Sequence, residues 1–64
     1  MTQYWNINNY TYHVTVDEDK KNVRIVKHDS DGNKVGKTVK VSLSKYEECQ
    51  DRYSVDALYK SKTK

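Results

Sequence analysis

The 64-residue chain holds one cysteine, two glycines and no phenylalanine. A lone Cys49 excludes an internal disulfide, the device with which small secreted domains usually offset a thin core. Gly32 and Gly36 are too few to build a glycine-rich phosphate loop. With no Phe, the aromatic content falls to six Tyr and one Trp. No apolar run approaches the roughly 20 residues of a bilayer-spanning helix. Residues 1–9 lack the basic stretch and apolar segment of a signal peptide. The expectation is a soluble, cytoplasmic protein with no membrane partner. Asn9-Tyr10-Thr11 matches a glycosylation sequon, which means nothing without a secretory route.

The apolar fraction is 34%, and it includes the six Tyr, whose hydroxyls need water or a partner. Eight of the remaining apolar residues are Val. Sixty-four residues allow one domain, and a domain this small leaves much of its surface wet. Either the protein is weakly stable, or self-association or a partner covers part of that surface.

What is present is alternation. Tyr10, Tyr12, Val14 and Val16 share one parity. So do Val23 and Ile25, and so do Val35, Val39, Val41 and Leu43. Successive side chains on a strand face opposite ways, so each run predicts a strand with one dry and one wet face. The strands are expected at about Tyr10–Val16, Val23–His28 and Lys34–Leu43. Asp17 to Asn22 reads as a loop, and Asp31-Gly32 as a hairpin turn. Gly36 marks a bulge or a late strand start. Residues 1–9 are an extra strand or an irregular arm; the 4/5/7 spacing of Tyr4, Trp5 and Ile7 decides neither.

Ser44 and Glu47 fit a capping box, which starts a helix at about Lys45. Tyr46, Cys49, Tyr53 and Ala57 then share one face. Alternatively Ser54 caps a separate second piece over Val55–Tyr59. Residues 61–64 are expected to be a disordered tail. The predicted fold is α+β: a three-stranded antiparallel β-meander with one C-terminal helix packed on one face (βββα).

Charge is segregated by element. Residues 1–19 carry −3, residues 20–45 carry +6, residues 46–59 carry −3 and the tail carries +3. Such a pattern bears on association rather than on fold.

Catalytic and metal chemistry find little support. An EF-hand register on Asp29-Ser30-Asp31-Gly32-Asn33 puts Lys27 and Thr38 where oxygen ligands are required. His13, His28 and Cys49 are too few and too scattered for a structural zinc site. Cys49 sits on the inward helix face, where a thiol is ordinary packing. Glu47, Glu48 and Asp51 form a solvated helix face, with no cleft to shift their pKa values. The expectation is a non-enzymatic protein with no metal and no cofactor.

Two surfaces remain. Tyr4, Trp5, Tyr53 and Tyr59 are candidates for a protein-binding patch, because Tyr and Trp contribute rigid area with a polar tip. Tyr10, Tyr12 and Tyr46 are assigned to the core. The wet face presents Thr11, His13, Thr15, Arg24, Val26, His28, Thr38, Lys40 and Ser42, with Lys34 at its margin. Arg24, His28, Lys40, His13 and Lys34 are the candidates for nucleic-acid contact through backbone phosphates. The bland alternative is an ordinary solvated sheet face. The leading reading is a small accessory or regulatory protein that binds and modulates a larger one, inhibitor-like, as phages and mobile elements encode. Nucleic-acid binding through the basic face comes second. A self-associating piece, forming a homodimer, comes third.

Overall fold

A computed structural model describes residues 2–63 of the chain. The order is β1 (Thr2–Ile7), β2 (Tyr10–Asp17), β3 (Asn22–His28), β4 (Lys34–Ser42), α1 (Leu43–Glu47) and α2 (Arg52–Lys62). The strands form one antiparallel sheet in the order β1-β2-β3-β4. Three of them lie where alternation predicts. The fourth, β1, resolves the open choice at the N-terminus in favour of a strand; Met1 lies outside the described residues.

Local chemistry explains the connections. Ile7 pairs with Tyr10 across a two-residue turn in which Asn8 takes φ 52°. Asparagine tolerates that left-handed conformation better than most residues. In the β3–β4 turn the Asp29 carboxylate accepts from the backbone N–H of Asp31 and Asn33, at 3.0 and 2.9 Å. This is an Asx-type turn, with Gly32 at φ 85°.

β4 carries the sheet's irregularity. Ile25 pairs with Val39 and Lys27 with Val35, so β4 has extra residues opposite Val26. Gly36 lies in that bulge at φ 71°. The Tyr59 hydroxyl reaches down from α2 to donate to the Lys37 carbonyl at 2.7 Å. A Cβ on Gly36 would stand 2.9 Å from the Tyr59 oxygen. Gly36→Ala is therefore expected to destabilise by about 1–3 kcal/mol, through positive φ and this contact together. Denaturant midpoints of the two proteins check it.

Two helices replace the single one expected, and both lie on the same face of the sheet. Ser42, not Ser44, caps α1, its side chain accepting from Lys45 N–H at 3.3 Å. The chain then breaks at residues 48–51. Asp51 is extended and caps α2, accepting from the backbone N–H and hydroxyl of Ser54 at 2.9 and 3.0 Å. The break rotates the second helix. Val55 and Tyr59, four residues apart, point into the core, while Tyr53 and Ala57 face outward. The expected Tyr46, Cys49, Tyr53 and Ala57 face does not exist as one surface. The tail expected to be disordered from Ser61 is helical to Lys62; Lys64 lies outside the described residues.

The core joins Ile7, Tyr12, Val14, Val23, Ile25, Val39 and Val41 of the sheet to Tyr46, Val55 and Tyr59 of the helices. Each fully buried Val or Ile contributes about 1.5–3 kcal/mol of transfer free energy. The hydroxyls are satisfied within the fold. Tyr12 donates to the Asp56 carboxylate, and Lys60 pairs with the same carboxylate at 3.0 Å. Tyr46 accepts from Trp5 Nε1 at 2.9 Å and donates to Gln3, which clamps β1 to α1. Tyr10, expected in the core, is 37% exposed at the sheet margin, with the Lys27 ammonium 4.1 Å above its ring.

Candidate functional site

The two edges of the sheet differ in chemistry. β4 is long, bulged at Gly36 and carries Lys34, Lys37 and Lys40. Bulges and lysines on an edge discourage a further strand from pairing. β1 reads Thr-Gln-Tyr-Trp-Asn-Ile, with no charge, no glycine and no bulge. In a two-residue hairpin the flanking pair, Ile7 and Tyr10, exchanges both of its backbone hydrogen bonds. Alternation then turns the N–H and C=O of Thr2, Tyr4 and Asn6 outward. β1 is thus a flat, uncharged edge with its backbone groups presented.

A groove runs along this edge. Tyr4, Trp5 and Asn6 form one wall, and the turn and first residues of α2, Gln50 to Tyr53, form the other. Tyr4 is 64% exposed and Tyr53 62% exposed. Trp5 is half-buried and held by its hydrogen bond to Tyr46. Arg52 lies over the Tyr53 ring at 5.2 Å. Trp5 and Tyr53 therefore meet at one place on the helical side, whereas the Tyr4 ring turns to the other face of the sheet, edge-on to His13. Tyr59 does not join them: it is 4% exposed and packs against Tyr12, ring centroids 5.1 Å apart. It is a core residue because the helix break turns it inward.

Among the described residues no helix packs on the opposite face of the sheet. Thr2, Thr15, Arg24 and Lys40 form one cross-strand row. Tyr4, His13 and Val26 form the next, and Asn6, Thr11, His28 and Lys34 the third. All five residues expected to contact nucleic acid thus share one face. Tyr4 meets His13 edge-on at 4.8 Å, and His13 stacks on His28 at 3.9 Å. Burial, and then the neighbouring His28, lower the His13 pKa below the usual histidine value. His28 Nδ1 is buried and has no hydrogen-bond partner.

Burial first, then the carboxylates of Glu48 and Asp51, push the Cys49 thiol up, the reverse of what a thiolate nucleophile requires. Burial pushes the Asp56 carboxyl up, but the Tyr12 hydroxyl and the cations of Lys60 and Lys27 outweigh it and hold the group ionised. Among the described residues no three His, Cys, Asp or Glu side chains gather where they could hold a metal ion. No helix of the described residues is long and apolar enough to cross a membrane.

Sequence reasoning missed Asn6, Gln50 and Arg52 as groove residues. The available signal was the complete lack of charge in Thr2–Ile7, set against three lysines in Lys34–Ser42. No family model, curated protein or solved structure matches the chain.

Proposed function

We propose that this is a small non-enzymatic protein that captures an extended segment of a larger protein along the outer edge of β1 and so modulates it. Edge pairing supplies affinity through main-chain hydrogen bonds, and adjacent pockets supply specificity. One observation carries the reading: among the described residues β1 is the sheet edge without charge, and it opens into the groove that Trp5 and Tyr53 line. Fixed aromatic rings lose little entropy when they take up a partner, which favours them as anchors.

Strand addition needs the outward N–H groups. Asn6→Pro removes one without touching the ladder to β2, whose bonds come from Gln3, Trp5 and Ile7. The test is selection from a displayed library of peptides about ten residues long, the length of a generous strand. The expected result is recovery of extended apolar sequences whose affinity falls at least about tenfold, or about 1.4 kcal/mol, with Asn6→Pro or Tyr53→Ala. Selected peptides that bind both variants as tightly as the parent would overturn the reading. Sedimentation of the free protein decides the self-association alternative: a second copy seated on β1 gives a concentration-dependent dimer.

A further inference from the structure

The helix-free face of the sheet has a different chemistry from the β1 groove, and it points to a different ligand. Across it runs a contiguous strip of three rings, one from each of three strands: Tyr4, His13 and His28. Cations lie on both sides of the strip. Arg24 and Lys40 are direct cross-strand partners on one side, and Lys34 pairs with His28 on the other. Carboxylates are confined to the ends of this face. In the ladder Asp17 stands opposite Asn22, one row beyond Arg24, and Glu18, Asp19 and Asp31 lie in the turns at the two ends of the sheet. Glu47, Glu48, Asp51 and Asp56 all belong to the helical side of the molecule, and Asp29 is occupied by the turn it closes.

We infer that this face binds single-stranded nucleic acid, with an unpaired base stacked on Tyr4 and backbone phosphates held by Arg24, Lys40 and Lys34. Exposed rings on a sheet stack any base, and flanking cations follow the phosphates. Tyr4, 64% exposed, is the ring with room for a base; His13 supports it from the side. The geometry disfavours a duplex. Four strands at about 4.8 Å spacing make a platform about 14 Å across before side chains are added. That is wider than the roughly 12 Å major groove, and paired bases expose no face for stacking.

Fluorescence anisotropy with labelled oligo-dT and oligo-U, beside a duplex of equal length, tests this directly. The expected result is preference for the single strands. Their log affinity should fall against log salt with a slope of about −2, as for three phosphates on a single strand. Tyr4→Ala should weaken binding about five- to hundredfold with the slope unchanged, and Tyr4→Phe should restore it. Arg24→Ala with Lys40→Ala should flatten the slope to about −0.7. Lys45→Ala, which removes a cation from α1, controls for net charge and should leave the slope as it was. No binding at low salt, a duplex bound as tightly as the single strand, full affinity in Tyr4→Ala, or an equal loss in Lys45→Ala would each overturn the inference.

Discussion

Tyr12→Ala leaves the protein with little or no residual stability at neutral pH and room temperature. Tyr12 is fully buried, packs on Tyr59, and its hydroxyl donates to Asp56 of α2. Truncating a large buried ring costs about 3–5 kcal/mol, combining lost transfer energy with the cavity left behind. A domain of this size has a total stability on the order of 5 kcal/mol. The single change thus removes most of what holds the fold. Tyr12→Phe separates the two contributions. It keeps the ring and loses the hydrogen bond to a carboxylate that Lys60 still neutralises, so it should cost only about 1–2 kcal/mol. Urea denaturation followed by Trp5 fluorescence reads both variants. A Tyr12→Ala protein as stable as the Phe variant would mean that the ring is not the centre of the core.

Alkali should unfold the protein cooperatively, beginning near the ordinary tyrosine pKa of 10.0. Burial raises Tyr12, Tyr46 and Tyr59 above that value, and the Asp56 carboxylate pushes Tyr12 further. In the unfolded chain these phenols ionise near the ordinary value. Above it the unfolded state binds fewer protons than the folded state, so stability is complete below pH 10 and is lost as pH rises. Each retained proton steepens the loss by about 1.4 kcal/mol per pH unit, so three phenols approach about 4. With stability on the order of 5 kcal/mol, unfolding should be complete within about two pH units of the onset. Phenolate absorbance and near-ultraviolet dichroism should change together. Ionisation of all six tyrosines with the dichroism intact would contradict the packing described here.

Much of the sheet was legible because alternation is a strict consequence of strand geometry. Val14, Val23, Ile25, Val39 and Val41 fall on the buried face that their parity predicts. The same rule groups Arg24, Lys40, His13 and His28 on the other face; Lys34, expected at its margin, joins them through its pairing with His28. β1 was harder to read because Tyr4 adds a ring on the wet side of a strand whose buried-side residues are Trp5 and Ile7, so the apolar spacing follows no single period. The helical region misled for a different reason. Tyr46, Cys49, Tyr53 and Ala57 imitate one continuous face, and the Ser44–Glu47 spacing imitates a cap. Asp51 satisfies Ser54 twice over and stops the first helix before the second begins, which changes the face that Tyr53 and Tyr59 present.

The edge of β1 stays illegible in sequence for a general reason. Whether a strand lies at the border of a sheet depends on what else pairs with it, and no local pattern encodes that. Only after the order β1-β2-β3-β4 is known does the lack of charge in Thr2–Ile7 acquire meaning. Beside the lysine-guarded β4, it distinguishes an edge that invites pairing from one that resists it.

Residue-resolved amide hydrogen exchange along β1, with and without a selected extended peptide, tests the central claim most directly. In the free protein the amides of Trp5 and Ile7 should be protected and those of Tyr4 and Asn6 should exchange fast. The peptide should slow Tyr4 and Asn6 while leaving β4 unchanged. Uniform protection of β1 before any peptide is added, or peptide binding that leaves Tyr4 and Asn6 exchanging as before, would contradict it.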